Sequence, residues 1–366
     1  MTRHFLGVEK QALYAEARLE AVRAVARLAR DTGCAFAVVC GDIFDSNHLD
    51  RSVVVRALEA MRDFTVPVYL LPANHDPLNA ASVYRSPEFA ANRPVHVHVL
   101  ETNEPVLVAD GTVEVVGAPW ESKQPLDDLA AHAVAALAPR PPGVQARVLV
   151  AHGAVDVLAP DKDDPSLIRL AAAETALASG QIDYIALGDR HSTAQVGATG
   201  RVWFAGTPLV TDFRDTGANH ALVVELGPAG AAPTVTPHLV GAWSFVSRHF
   251  HVDGTATVDA VGEWLDSLPD KHITVVKLSF EGTLSLIEKS QLDDALGHHA
   301  SLFAALDTWE RHTDLRVRRD AADLDELGLT GFAATTLEEL QALAEAGGPS
   351  GQVAEDALNL LFRLAH

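Results

Sequence analysis

Gly41-Asp42-Ile43-Phe44-Asp45 follows the apolar run Phe36-Ala37-Val38-Val39-Cys40, and Asn74-His75-Asp76 follows a second such run, Val66-Pro67-Val68-Tyr69-Leu70-Leu71. An apolar run that ends at a loop carrying metal-competent side chains is the grammar of a site built at the carboxyl ends of buried strands. Carboxylate and amide oxygens together with an imidazole suit a hard divalent cation. The same order recurs twice more. Val148-Leu149-Val150 delivers Ala151-His152-Gly153, and Tyr184-Ile185-Ala186-Leu187 delivers Gly188-Asp189-Arg190-His191. Four strand ends thus carry Asp42, Asn74 with His75, His152, and Asp189 with His191. His132, the His96/His98 pair and His298-His299 lack this context and are read as structural or solvent-facing.

Outward from these strands the pattern alternates. Apolar residues at helical spacing predict a helix over 10–31, and a second helix is expected over 51–63, between strands 35–40 and 66–71. Short strands are expected over 95–100, 105–109 and 113–117, then a helix over 126–138, a helix over 166–179, and strands near 201–205 and 220–226. This strand–helix alternation implies an α/β layered core. A Gly/Pro/Ala-rich interruption near 227–243 marks a boundary. Beyond it, strands 245–251, 273–280 and 313–318 alternate with helices 257–267 and 286–296, giving a smaller α/β unit over 244–319. The remainder, 320–366, is acidic and helical, broken at Gly347-Gly348-Pro349-Ser350-Gly351.

Composition narrows the classes. A chain of 366 residues that is 48% hydrophobic can bury a sizeable core. No apolar run is long enough for a membrane span, and no leader pattern opens the sequence. The expected location is the cytoplasm. Its two cysteines, Cys34 and Cys40, flank one strand and read as buried thiols of a reducing compartment. The net charge of −21 argues against a stand-alone nucleic-acid binder. It does not exclude an enzyme on nucleic acid, because bound metals cancel local carboxylates.

Gly-Asp, then Asn-His, then a His after an apolar strand, then Gly-Asp-x-His, resembles the signature of the calcineurin-like metallophosphoesterases. Gly41-Asp42-Ile43-Phe44-Asp45-Ser46 and Trp203-Phe204-Ala205-Gly206-Thr207-Pro208 are similar to segments of that family's DNA-repair nuclease branch, typified by the SbcD subunit of the SbcCD complex. The resemblance implies a layered metallophosphoesterase sandwich over 1–243, a capping domain over 244–319 and a helical C-terminal segment over 320–366. It implies two divalent metals, usually manganese, bridged by Asp42. Asn74, His152 and Asp189 would complete one metal site, and His191 with Asp42 would serve the other. Two such ions can orient a phosphodiester and neutralise its developing charge. His75 would stand against the scissile phosphate. Asp76 would either hold the other ring nitrogen of His75 or cap the turn that follows. DNA is the implied substrate and a coiled-coil ATPase of the SbcC type the implied partner, with helix 354–365 as a docking element; a homodimer stays open.

The sequence departs from that pattern at three places. Ala73 stands where the family has Gly before Asn-His. Asp189 replaces the first His of Gly-His-x-His, an acceptable exchange for manganese or magnesium. The family also begins with a strand ending in Asp-x-His, whereas Met1-Thr2-Arg3-His4 leads directly toward a helix and no Asp precedes Asp31. Either the strand lies upstream of an internal Met, or the second metal set is short of ligands. Two other functions therefore stay open: a phosphatase or phosphodiesterase on small substrates, and a catalytically impaired scaffold.

Overall fold

The computed structural model describes residues 6–215, 217–227, 230–318 and 331–365. His4 and the segment in which an opening Asp-x-His would be sought lie outside the described residues. The chain divides into two compact units, one running from Val8 to Trp243 and the other from Ser244 into the C-terminal helices.

The first unit contains, in order, α1 (Val8–Asp31), β1 (Ala37–Val39), α2 (Arg51–Met61), β2 (Val68–Leu70), α3 (Pro87–Asn92), β3 (Val97–Val99), β4 (Val106–Val108), β5 (Val113–Gly117), α4 (Leu129–Ala135), β6 (Ala146–His152), α5 (Leu170–Ala178), β7 (Tyr184–Gly188), β8 (Ala194–Val196), β9 (Val202–Phe204), β10 (His220–Glu225) and β11 (Thr234–Leu239). Strands β1, β2 and β3 form a small parallel sheet in that order. The larger sheet runs β4-β5-β6-β7-β9-β8, parallel through its centre with an antiparallel strand at each edge. β10 and β11 pair separately as an antiparallel ribbon.

The cores show how these sheets stack. Cys40, Tyr69 and Leu71 at the small sheet pack with Val115, Val148, Val150, Tyr184 and Ala186 of the large one, so the two sheets meet face to face. Ala26, Ala29, Val54, Leu58 and Met61 of α1 and α2 cover the other face of the small sheet. Ala130, Ala133, Ala173, Ala176 and Leu177 of α4 and α5 cover the other face of the large one. The result is a helix–sheet–sheet–helix sandwich in which apolar residues sit on both faces of the central strands, as fully buried parallel strands require. Because β1, β2, β6 and β7 all lie in parallel registers, their carboxyl ends deliver loops to a single edge.

Several elements differ from their sequence reading for local reasons. The helix expected over 126–138 begins only at Leu129, because Asp128 caps it by accepting the Ala131 N–H at 2.9 Å. The helix expected over 166–179 begins at Leu170, since Ile168 is still extended and bridges Val155. The short α3 follows a Ser86–Pro87 start, with the Ser86 hydroxyl accepting the Phe89 N–H; Pro fits the first helical turn because its missing N–H would have no partner there.

The second unit contains β12 (Ser244–Val252), α6 (Thr255–Ser267), β13 (Thr274–Ser285), α7 (Leu286–Ala300), β14 (Ala305–Thr308), β15 (Asp314–Arg318), α8 (Phe332–Ala346) and α9 (Gly348–Ala365). β13 is its axis, paired in parallel with β12 along one side and with β14 and then β15 along the other. Phe250, Val258, Val261, Leu265, Val276, Leu278, Phe280 and Leu292 make its core. α8 and α9 pack on each other through Leu337, Ala344, Ala354 and Leu358. Gly347, at φ +70°, breaks the two helices apart; helix resumes at once from Gly348, not from 354 as the Gly-rich stretch suggests. Among the described residues no helix is long and apolar enough to cross a membrane.

Candidate metal centre

Two of the four strand ends present their carboxylates through a constrained backbone. Asp42 follows β1 in the left-handed region at φ +54°, and Asp189 follows β7 at φ +97°. Such conformations are uncommon for residues with a Cβ and cost energy that the surroundings must supply. Glycine precedes each because there is no room for a side chain. A Cβ on Gly41 would overlap the His152 ring and Ala73, and one on Gly188 would overlap the Cys40 carbonyl oxygen. The two Gly-Asp pairs are thus a packing requirement of His152 between the sheets.

His152 is the last residue of β6 and its side chain is 1% exposed. Its Nδ1 lies 2.7 Å from the Cys40 carbonyl oxygen. A carbonyl only accepts, so Nδ1 carries a proton and Nε2 is the ring atom that faces the cluster. Trp120 closes the other side, its ring edge-on to the imidazole and its Nε1–H donating to the His152 carbonyl oxygen at 3.0 Å.

Around His152 Nε2 the acceptors converge. Asp42 Oδ2 lies at 3.4 Å and Asp189 Oδ1 at 3.9 Å. One atom of the Asn74 side-chain amide lies 2.9 Å from His152 Nε2 and 2.9 and 3.2 Å from the two Asp42 oxygens. With nitrogen inward the amide would donate to all three and close the cluster as hydrogen bonds. With oxygen inward, carboxylate, amide and imidazole lone pairs face one another, an arrangement that a cation stabilises. Among the described residues no three His, Cys, Asp or Glu side chains form a metal cage by themselves; the Asn74 amide is what completes this donor set. Its mixture of oxygens and one imidazole fits a divalent ion of the magnesium–manganese kind.

Charge reflects the same crowding. Burial pushes the Asp189 carboxyl above its ordinary range, partly offset by His152 and reinforced by Asp42. Burial also works against ionisation of Asp42, but its bond to His152 and the His75 N–H outweigh that and hold it low. Burial opposes protonation of His152, and Asp42 outweighs it, leaving the imidazole raised.

His75 sits at the rim with its side chain 46% exposed. Its N–H donates to Asp42 Oδ1 at 3.1 Å, and its Nε2 stands 4.0 Å from Asp42 Oδ2. Its Nδ1 lies 3.1 Å from the Asp45 carbonyl oxygen, which again places the proton on Nδ1. Asp45 is held in turn by two contacts from Arg18 of α1 at 3.2 and 3.3 Å.

The reading of Asp76 as a partner of the His75 ring is corrected here. Asp76 is fully buried and does not touch that ring. Its Oδ1 accepts the Ala73 N–H at 2.9 Å; its Oδ2 accepts the Phe44 N–H at 3.0 Å and the Tyr84 hydroxyl at 2.7 Å. It ties the Asp42 loop to the Asn74 loop, a clamp between two ligand-bearing segments. Ala73, in place of the family's glycine, fits because its Cβ is buried against Gly41.

His191 stands apart from the buried cluster, half-exposed in the loop after β7. Asp189 and Asp42 lie close enough to raise its pKa, but the main cause is a bond to Asp215. Sequence reasoning missed Asp215, Thr211 and Tyr84, all of which touch a site residue. No spacing pattern marks them, since they lie in irregular loops or, for Tyr84, in a single 3₁₀ turn.

A donor set of this kind at the ends of parallel strands is chemically suited to a divalent cation. Residues 13–193 match the family model described as calcineurin-like phosphoesterase, and the chain carries a calcineurin-like phosphoesterase domain. That family performs metal-dependent phosphoester hydrolysis with divalent metals, typically two. Among solved structures, the crystal structure of TT1561 of Thermus thermophilus is similar at 12% identity and a TM-score of 0.40, over 61% of this chain and 94% of that one. No curated protein matches the chain.

Proposed function

We propose that this chain is a manganese-dependent phosphodiesterase acting on DNA ends, the nuclease subunit of an SbcCD-like repair complex. The observation that carries the hydrolytic part is the convergence of Asp42, Asn74, His152 and Asp189 on one point at a shared sheet edge, with the exposed imidazole of His75 beside it. Asp42, Asn74, His152 and Asp189 would hold one metal, and Asp42 with His191 would contribute to a second. When bound, divalent ions neutralise phosphoryl charge and make a water a better nucleophile at neutral pH.

The chain's own residues then have separable tasks. The Asp76 clamp keeps the Asp42 and Asn74 loops in register. The Cys40 carbonyl holds His152 with its Nε2 toward the ligands. His75, with Nδ1–H fixed on the Asp45 carbonyl oxygen, keeps Nε2 free at the rim. Protonated there, it donates to a phosphoryl oxygen or to the leaving oxygen, the role of a general acid. DNA as substrate rests on the likeness of Gly41–Ser46 and of 203–208 to the nuclease branch. In the same reading 244–319 serves as a capping domain and helix 354–365 as the docking element for a coiled-coil ATPase.

One observation favours a second reading. A net charge of −21 repels a polyanion, which suits a phosphatase or phosphodiesterase on small substrates. Assay of the chain with manganese on linear duplex DNA and on a chromogenic phosphodiester separates the two. The nuclease reading expects release of nucleotides from DNA ends, lost in Asp42→Ala. Turnover of the chromogenic diester alone would leave the small-substrate reading, and turnover that survives Asp42→Ala would show that the site lies elsewhere.

A further inference from the structure

His191 is gripped from two sides by the segment that follows β9. Its carbonyl oxygen accepts the Thr207 N–H at 2.9 Å. Its ring meets Thr211 and Asp215: Nδ1 lies 2.8 Å from Thr211 Oγ1 and 3.3 Å from Asp215 Oδ1. Asp215 Oδ2 accepts the Thr211 N–H at 2.8 Å, the Asp212 N–H at 2.8 Å and the Thr211 hydroxyl at 2.9 Å. A hydroxyl has one proton. With that proton on Asp215, Thr211 Oγ1 can only accept from His191. A carboxylate oxygen also only accepts. Both neighbours of Nδ1 are therefore acceptors, and Nδ1 must bear the hydrogen.

The segment that carries this arrangement is itself anchored. Tyr14 of α1 donates its hydroxyl to the Val210 carbonyl oxygen at 2.7 Å, and Asn219 Oδ1 accepts the Val210 N–H at 2.7 Å. Asn219 Nδ2 in turn donates to the Trp243 carbonyl oxygen at 2.8 Å. Residue 206 must be glycine, at φ +77°, because a Cβ there would crowd the Thr193 N–H and hydroxyl.

We propose that Thr211 and Asp215 are positioning residues for His191, forming a relay from His191 Nδ1–H to Thr211 Oγ1–H to the Asp215 carboxylate that leaves Nε2 as the ligating atom. The inference rests on the metallophosphoesterase reading, in which His191 is a ligand. It adds the atom that ligates and the two residues that set it. Ligating histidines generally donate their other ring N–H to a carboxylate, carbonyl or water, and losing that partner weakens metal binding about 10–100-fold.

The tautomer is read without any metal. In the 15N-labelled chain, at a pH high enough to leave the His191 ring neutral, its long-range 1H–15N correlations, assigned by their loss in His191→Gln, are expected to show Nδ1–H and an unprotonated Nε2. In parallel, manganese titration calorimetry on Thr211→Val and Asp215→Asn is expected to weaken the binding event that His191→Ala removes, about 10–100-fold. Thr211→Ser, which keeps the hydroxyl, should restore it. A predominant Nε2–H tautomer in the wild-type chain overturns the proposal. So do Thr211→Val and Asp215→Asn chains that titrate like wild type while His191→Ala does not. Failure of the underlying reading looks different: the wild-type chain would take up no manganese at all.

Discussion

His152 and His191 reach the same edge of the large sheet but are held in contrasting ways. His152 ends a strand, is almost wholly buried, and fixes its ring on a main-chain carbonyl of the facing sheet. His191 lies in a loop, is half-exposed, and fixes its ring on the side chains of Thr211 and Asp215. A ligand held by backbone depends on strand register and on the absence of side chains at Gly41 and Gly188. A ligand held by side chains depends on residue identities some distance along the chain. The first arrangement is vulnerable to added bulk at its two glycines; the second can be weakened one residue at a time.

The largest effect should come from deleting the two imidazoles separately. His152→Ala removes the hub of the cluster and is expected to abolish both manganese uptake and hydrolysis. His191→Ala should leave a measurable binding event on Asp42, Asn74, His152 and Asp189. Calorimetry of the two variants decides this, and equal loss in both would mean that the halves are not separable.

Next comes Gly188→Ala, whose methyl would overlap the Cys40 carbonyl oxygen. Because the obstacle is backbone and not a pliable side chain, the cost should reach about 3 kcal/mol, at the upper end for overpacking. A thermal melt should fall by several degrees; a wild-type melting temperature would show that the sheets are not packed so tightly there.

Tyr84→Phe is expected to cost less, about 1.5 kcal/mol, since it removes one donor from the buried Asp76 carboxylate and leaves the Ala73 and Phe44 N–H groups in place. Denaturant unfolding should show the loss with metal affinity little changed. A large loss of affinity would instead make Asp76 more than a clamp.

The smallest effect concerns the thiols. Burial pushes the Cys40 thiol up to about 12, so it stays neutral and shielded through the physiological range. Cys34 is half-buried. Iodoacetamide at pH 8 should therefore modify Cys34 in the native chain and reach Cys40 only after unfolding.

Much of the layered α/β sandwich was legible because buried parallel strands read as apolar runs. Asp42, Asn74, His152 and Asp189 all follow such runs, with a preceding glycine at Asp42 and Asp189 alone, and the structure brings their polar atoms together. What the sequence did not disclose follows from non-local geometry. Asp76 looked like a companion of His75 because it is adjacent in sequence, yet its carboxylate points to Phe44 and Tyr84 across the fold. Asp215 and Thr211 belong to a loop with no periodicity. β14, only four residues long and half-buried, carries no alternation strong enough to stand out. Helix starts moved by a few residues where a cap such as Asp128 intervened.

In the proposed site, acceptor atoms of Asp42, Asn74, His152 and Asp189 surround a divalent cation. Anomalous diffraction from crystals of the chain soaked in manganese locates that cation. A manganese peak is expected within bonding distance of His152 Nε2, an Asp42 oxygen and the Asn74 amide oxygen. An Asn74 amide with nitrogen inward and no anomalous peak in the cluster, or a peak confined to another part of the chain, would contradict it.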